Sequence, residues 1–222
     1  MIRFKKFFSL FSELKIIIMK INLLLSIVFF VSLSACGGGG DVPGLSRLPS
    51  DAVILAFGDS LTHGNGAKEN ESYPAVLEEL TGRKVINAGI SGEESEPGLN
   101  RLPGLLEQHN PQLLILCHGG NDLLRKKDIN KMESNVRNMI QLAKDKNIPV
   151  VMLGVPKPGL FLSSFEVYKN IADSMEVIFI EDLIPEVLGD KQLKSDTVHP
   201  NKAGYRVMAE TIQSVLKESG AI

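Results

Sequence analysis

The sequence predicts an α/β fold, a three-layer α/β/α sandwich with a five-stranded parallel sheet. Three observations predict it. Short, nearly continuous apolar segments recur after Asp51, as in strands that are buried on both faces. Segments with helical periodicity lie between them. Glycine-rich polar stretches follow the apolar segments, where the strands should end, and this alternation is typical of successive βα units.

The five predicted strands are the apolar, β-rich segments of the domain. They are Ala52–Phe57, Lys84–Ala88, Leu113–Cys117, Pro149–Val155 and Glu176–Ile180. Cys117 falls inside the third of them, and we interpret it as a small buried hydrophobic residue rather than a nucleophile.

Two of the predicted helices have a clear apolar face. The helix before the fourth strand places Met132, Val136, Met139, Ile140 and Ala143 on one side, and the last helix does the same with Tyr205, Met208, Ala209, Ile212 and Leu216. Side chains that recur with a period of 3.6 residues lie on one face of a helix, so both sets are expected to pack in the core.

Length and composition restrict the domain organisation and the class of partner. The 222 residues are 44% hydrophobic and 23% charged, which suits one main domain, predicted over residues 51–222. The formal net charge of -2 provides no basic field for nucleic acid, so no nucleic-acid partner is expected. Two cysteines without C-x-x-C spacing indicate neither a disulfide framework nor a zinc site.

Residues 1–36 are predicted to be a secretory signal. From Met19 a lysine precedes an apolar run, which ends in small residues at Cys36. Leu33–Cys36 resembles the lipobox of bacterial lipoproteins, in which the cysteine becomes the lipidated N-terminus after cleavage. Because the residues before Met19 add nothing that a signal needs, Met19 is our expected translation start; the alternative for the whole segment is an uncleaved membrane anchor.

Residues 37–50 are rich in glycine and proline and show no periodicity, so a flexible tether is expected. With lipid attached at Cys36, the domain would be membrane-anchored in the bacterial cell envelope, facing the periplasm or the cell surface.

Residues for nucleophilic catalysis lie at the predicted strand ends and before the last helix. Ser60 follows the first strand, and open parallel sheets bind ligands at the carboxyl ends of their strands. A serine hydroxyl needs a base, and the base needs a group that orients it. His199 is the candidate base, with Asp196 three residues earlier to accept its ring N–H. Asn201 is a plausible N-cap for the helix that follows.

Three further groups could stabilise an oxyanion from adjacent strand ends. They are the backbone N–H of Ser60, the backbone N–H of Gly89 and the side-chain amide of Asn121. An asparagine amide is a neutral donor that does not titrate. The same region also contains His63 and His118, so a metal site with His199 is an alternative, although the spacing matches no ligand motif.

These blocks, in this order, resemble the GDSL or SGNH hydrolase family over nearly all of the chain from Asp51. Gly98–Pro103 and His118–Asp122 look like the branch that contains the bacterial periplasmic thioesterase I, a thioesterase, lysophospholipase and arylesterase. The resemblance implies a flavodoxin-like fold. It also implies that Ser60 is the nucleophile, Asp196 and His199 complete the triad, and Ser60, Gly89 and Asn121 form the oxyanion hole.

The predicted activity is therefore hydrolysis of acyl esters, thioesters or lysophospholipids through an acyl-enzyme, with no cofactor and no metal. The loop Pro156–Ser164, with Leu160, Phe161 and Leu162, favours acyl chains as substrates. One alternative is a carbohydrate O-deacetylase that uses the same triad. Another is a catalytically silent surface-binding lipoprotein, which would be expected to have lost Ser60, Asn121 or His199. The oligomeric state is left open.

Overall fold

The computed structural model describes residues 44–157 and 163–222. Its sheet has the order β2-β1-β3-β4-β5, and every neighbouring pair is parallel. The strands are Val53–Gly58 (β1), Lys84–Gly89 (β2), Leu113–Cys117 (β3), Val150–Leu153 (β4) and Ile178–Ile180 (β5). The predicted fold class is confirmed.

Helices cover both faces of this sheet. They are Ser60–His63 (α1), Tyr73–Thr81 (α2), Ser95–His109 (α3), Gly120–Leu124 (α4), Ile129–Lys144 (α5), Glu166–Met175 (α6), Leu183–Gly189 (α7) and Lys202–Glu218 (α8), with a 3₁₀ turn at Glu69–Glu71. Helices α2 and α8 pack together, whereas α3, α5 and α6 form a second group. The two groups are the outer layers of the sandwich.

The core lies between the sheet and these helices. Strand β3 is buried along its whole length, and Cys117 in it is a buried free cysteine. All ten apolar positions predicted for α5 and α8 are buried as well. Burying a large aliphatic side chain contributes roughly 1.5–3 kcal/mol relative to its exposed state, so these faces hold the helices on the sheet.

The register of β2, β1 and β3, which are neighbours in the sheet, brings their carboxyl ends level. Gly58 at the end of β1 pairs with Gly89 of β2 on one side and with Cys117 of β3 on the other. The loops that follow these residues therefore leave the sheet side by side, which places Ser60 between them.

At the opposite end of the sheet, the segment that leads into β1 is fixed to the end of the chain. The Leu45 N–H donates to Ser219 O, and the Leu48 N–H donates to Ala221 O, both at 2.8 Å. Leu48 is also buried, so this part of the predicted tether packs against the domain.

Met19, Cys36 and residues 37–43 of the predicted tether lie outside the described residues. Within 44–157 and 163–222, no helix is both long and apolar enough to cross a bilayer.

Candidate active site

Ser60 lies two residues beyond the end of β1, as the first residue of α1. The preceding residue, Asp59, is the N-cap of α1, and its Oδ1 accepts from the Leu61 N–H at 3.1 Å. Asp59 is almost completely buried, and this burial raises the pKa of its carboxyl group. The rigid end of a central strand thus fixes the backbone from which the half-buried Ser60 side chain extends.

Ser60 and His199 are in contact, although 139 residues separate them in the sequence. The Ser60 Oγ lies 3.1 Å from His199 Nε2. On the other side of the ring, His199 Nδ1 lies 2.8 Å from Asp196 Oδ2. The structure thus brings the three residues of the predicted triad together in the order hydroxyl, imidazole, carboxylate.

The loop before α8 holds the imidazole and the carboxylate in place. Asp196 Oδ1 accepts from the Val198 N–H at 2.8 Å and from the His199 N–H at 2.9 Å. The Ser195 N–H donates to His199 O at 2.9 Å. Asn201 Oδ1 caps α8 by accepting from the N–H groups of residues 203 and 204, as the sequence predicts.

These contacts also determine the charge state of Asp196. Burial acts to raise the pKa of this carboxyl group and is the largest single influence. The hydrogen bonds from the His199 ring and from the backbone amides of Val198 and His199 together outweigh it, so the pKa lies below its usual value. Asp196 is therefore ionised at neutral pH, as a group that orients an imidazole should be.

Asn121 extends from the first turn of α4, which follows β3. Its Nδ2 donates to Asp59 Oδ2 at 3.2 Å, so the carboxylate next to Ser60 also orients this amide. An amide nitrogen carries two hydrogens, and this bond uses one of them. The backbone N–H of Ser60 has no acceptor within 44–157 and 163–222. Two of the three predicted donors are therefore placed beside each other.

Gly89, the third predicted donor, is in a different environment. Its N–H donates to Asn87 Oδ1 at 3.0 Å, and a Cβ at this position would overlap the backbone of Thr62 and His63. Gly89 lines a separate hollow with Asn65, away from the pocket that contains Ser60. The structure therefore does not bring the Gly89 amide to the serine.

Gly92, three residues further along the same loop, has the properties that Gly89 lacks. Its φ of +76° is in the region that favours glycine, and its N–H has no acceptor in the described part of the chain. Its carbonyl accepts from Arg125 Nη1 at 3.0 Å, which ties the turn to the end of α4. The signal for Gly92 in the sequence is that two glycines, Gly89 and Gly92, follow the predicted second strand Lys84–Ala88.

An apolar pocket that is open to solvent adjoins the serine. Its polar lining comes from Asp59, Ser60 and Asn121. The remaining lining residues are almost all apolar: Leu61, Gly120, Leu124, Val155, Pro156, Ile184, Leu188 and Val198. Of the loop Pro156–Ser164, the residues Leu160, Phe161 and Leu162 lie outside the described residues.

The family model of the GDSL-like lipase/acylhydrolase family matches residues 56–207, a range that includes Ser60, Asn121 and the His199 loop. The chain belongs to this family. It is an enzyme of the GDSL/SGNH hydrolase type, as the order of its sequence blocks predicts.

Curated relatives of this GDSL hydrolase include a thioesterase and esterases. It is 30% identical over 179 residues to the thioesterase 1/protease 1/lysophospholipase L1 of Escherichia coli strain K12, covering 77% of this chain and 86% of the relative. It is 31% identical over 204 residues to an arylesterase of Vibrio mimicus, covering 87% and 96%. The crystal structure of the psychrotrophic esterase EstA from Pseudoalteromonas sp. superposes with a TM-score of 0.68 at 26% identity, covering 76% of this chain and 98% of EstA.

The other histidines of this hydrolase have separate environments. His118 is buried, and its Nε2 lies 3.1 Å from Glu93 Oε2. His63 ends α1 and lines the hollow beside Gly89. Among the described residues, no group of three or more histidine, cysteine or acidic side chains could hold a metal ion.

Proposed function

We propose that the protein is a serine esterase that hydrolyses acyl esters or thioesters through an acyl-enzyme on Ser60. The observation that carries this proposal is the unbroken chain from Ser60 Oγ through the His199 ring to Asp196, next to an apolar pocket. A serine hydroxyl in contact with an oriented imidazole is the arrangement that acyl transfer requires.

In the first half of the reaction, His199 Nε2 accepts the Ser60 proton while Oγ attacks the carbonyl carbon of the substrate. The tetrahedral intermediate then collapses, and His199 gives the proton to the leaving alcohol or thiol. In the second half, His199 takes a proton from water, whose oxygen attacks the acyl-enzyme. The same proton returns to Ser60 Oγ when the acid leaves. Throughout, Asp196 holds the ring N–H on Nδ1 and stabilises the imidazolium.

Three N–H groups are available for the oxyanion in this proposal. The Ser60 amide is at the N-terminus of α1, and the Asn121 amide has one hydrogen that Asp59 does not use. We assign the third position to the Gly92 amide in place of Gly89, because the Gly89 amide is bonded to Asn87. Donors fixed before the substrate arrives need no reorganisation during the reaction.

The lining of the pocket supports the proposed substrate class. Because the side chains around Ser60 are mostly aliphatic, an acyl chain is favoured over a sugar, which would need a polar and aromatic groove. The names of the relatives, a thioesterase/lysophospholipase and an arylesterase, support the same class. Aryl esters, thioesters and lysophospholipids are accordingly the proposed substrates.

The test compares the wild-type full chain in mild detergent with Ser60→Ala and with Ser214→Ala as a matched control. The substrates are p-nitrophenyl esters from acetyl to palmitoyl, an acyl-CoA and acetylated xylan. We expect turnover that rises with acyl length, is abolished in Ser60→Ala and is unchanged in Ser214→Ala, because Ser214 is an exposed residue of α8. Activity confined to acetyl groups would instead indicate a carbohydrate deacetylase, and equal turnover by folded Ser60→Ala would refute the mechanism.

We also propose a location in the bacterial cell envelope, with a signal in residues 1–36 and a lipid anchor at Cys36. The proposal is supported by the charged, apolar and small-residue segments that precede this cysteine. Cys36→Ser should move the protein from the membrane to the soluble fraction. Full membrane partitioning of that variant would exclude the anchor.

A further inference from the structure

A cluster of charged and aromatic side chains lies behind the proposed oxyanion site. It consists of Glu93 in the loop after β2, Arg101 in α3 and His118 after β3, around the ring of Phe57 in β1. Glu93 and His118 are buried, and the Arg101 side chain is 23% exposed. None of the three lines the pocket beside Ser60, so the proposed chemistry gives them no direct part.

Arg101 is the centre of this cluster. Its Nε and Nη2 bind the Glu93 carboxylate at two oxygens, with contacts of 2.6 to 3.0 Å. The same Nη2 donates to Ala88 O at 2.8 Å and to Gly58 O at 3.3 Å. The guanidinium also lies over the Phe57 ring, 4.2 Å from its centroid. One side chain therefore joins the ends of β1 and β2 to the loop that carries Glu93.

His118 connects the third strand end to the same carboxylate. The backbone N–H of Gly119 donates to His118 Nδ1 at 3.0 Å, so Nδ1 acts as an acceptor. The ring hydrogen is then on Nε2, which donates to Glu93 Oε2 at 3.1 Å. Burial would raise the pKa of Glu93 and is the largest single influence, but the hydrogen bonds from His118 and Arg101 outweigh it and keep this carboxylate ionised.

The carbonyls that Arg101 binds are close in sequence to the proposed catalytic groups. Gly58 is two residues before Ser60, and Ala88 is the penultimate residue of β2, just before the loop that runs through Gly92 to Glu93. A shift of Arg101 would therefore move this loop relative to the serine. A displacement of ~1 Å in a catalytic arrangement can cost on the order of 10²-fold in rate.

We propose that Arg101, acting through Glu93, is a positioning residue that sets the loop from Gly89 to Glu93 against Ser60 and so fixes the oxyanion donors. The inference rests on the proposed function, because it assumes that the loop serves acyl transfer. The planar fork of an arginine is needed here, since a lysine ammonium cannot bind the two carboxylate oxygens side by side and also reach the strand carbonyls.

The experiment uses the full chain with Arg101→Lys, Arg101→Ala and Glu93→Gln. Arg137→Ala is the matched control, because Arg137 is also a half-buried arginine paired with a glutamate, Glu133, but belongs to α5, away from the pocket. For each variant, kcat and KM on a p-nitrophenyl ester are measured together with the thermal unfolding midpoint. Arg101→Ala is also assayed with guanidinium ion at ~10–50 mM, well below denaturing concentrations.

We expect the substitutions at Arg101 and Glu93 to lower kcat by ~10²-fold with KM within ~3-fold, because a misplaced oxyanion hole mainly affects the transition state. Guanidinium should raise the kcat of Arg101→Ala at least tenfold and leave the kcat of Arg137→Ala unchanged. If Arg101→Ala does not fold, the kcat values of Arg101→Lys and Glu93→Gln test the inference in its place.

Folded Arg101 and Glu93 variants with kcat within ~3-fold of wild type would overturn the inference. A loss of kcat that matches the loss of folded protein and does not respond to guanidinium would overturn it as well. If the wild type itself shows no turnover that depends on Ser60, the proposed function fails instead, and the two failures are thereby distinguished.

Discussion

The Asn121→Ala substitution tests the oxyanion site directly. Asn121 Nδ2 gives one hydrogen to Asp59 and has a second for the substrate, so truncation removes one of the proposed donors and leaves the triad intact. Loss of one such donor typically costs ~10²–10³-fold in kcat, or about 2.7–4 kcal/mol of transition-state stabilisation. We expect a decrease of this size with a nearly unchanged KM.

The same substitution has a smaller effect on stability. It removes a buried hydrogen bond from Asp59, whose remaining protein donor is the Leu61 N–H. Leaving a buried acceptor with one partner fewer costs ~1–3 kcal/mol, which lowers the unfolding midpoint without abolishing the fold. Assays are therefore done well below the midpoint of the variant.

Asn135→Ala is the matched control for this experiment. Asn135 is equally buried, and its Nδ2 donates to Ser95 Oγ at 3.0 Å, between α5 and α3. Its truncation should cost similar stability with kcat within about twofold, because Asn135 reaches Asp122, the neighbour of Asn121, only through Ser95 and contacts no proposed oxyanion donor. Initial rates on p-nitrophenyl butyrate give kcat and KM for both variants. A folded Asn121→Ala enzyme with kcat within ~3-fold of wild type would show that the assignment of Asn121 is wrong.

Three further predictions concern the pocket, the triad and the effect of pH. Leu124→Ser removes about 1 kcal/mol of apolar contact, so kcat/KM for an octanoyl ester should fall ~5-fold, whereas kcat/KM for an acetyl ester should not change. The matched control is Ile129→Ser, because Ile129 is also exposed but lies outside the pocket, and it should leave kcat/KM for both esters unchanged. An equal loss in the two variants would exclude Leu124 as an acyl contact. Asp196→Asn should lower kcat by on the order of 10²–10⁴-fold without unfolding, and a kcat within tenfold of wild type would contradict its role. Folding lowers the pKa of Glu93, so its negative charge stabilises the fold at pH values above ~4.3, the pKa of a free glutamate. This contribution to stability is lost as the pH falls through the lower pKa of the folded state. Glu93→Gln should accordingly be less stable than wild type at pH 7, with the difference fading below pH ~4; a constant difference in urea unfolding would refute this.

Hydrophobic periodicity was sufficient to predict the sheet and the buried helix faces, but not all element boundaries. The fifth strand was predicted to start at Glu176 and starts at Ile178, because Glu176 takes a φ of +50° at the end of α6. A glutamate gives no sign of that conformation, since left-handed caps are usually glycine or asparagine. The fourth strand is likewise shorter than Pro149–Val155.

The sequence indicated which side chains could form a triad, because residue type and the order of the sequence blocks restrict this chemistry. In the structure Ser60, His199 and Asp196 are in contact. They could be chosen from the sequence because a hydroxyl, an imidazole and a carboxylate are the three groups that this catalysis requires. The position of the backbone donor was harder to predict, because an amide has no side-chain signature, and whether Gly89 or Gly92 faces the serine depends on the path of the loop. Arg101 was missed for a similar reason: its contacts with Gly58 O and Ala88 O depend on tertiary packing.

The attachment of the segment around Leu45 and Leu48 to the last residues of the chain has a practical consequence. This attachment is at the end of the sheet opposite Ser60, and at ~3.3 Å per residue the six residues of β1 separate the two by roughly 20 Å. A bead, electrode or fusion partner coupled on the N-terminal side of this segment would leave the pocket beside Ser60 open to bulk solvent. The enzyme is thus suited to oriented immobilisation, with turnover per molecule expected to match that of the free protein.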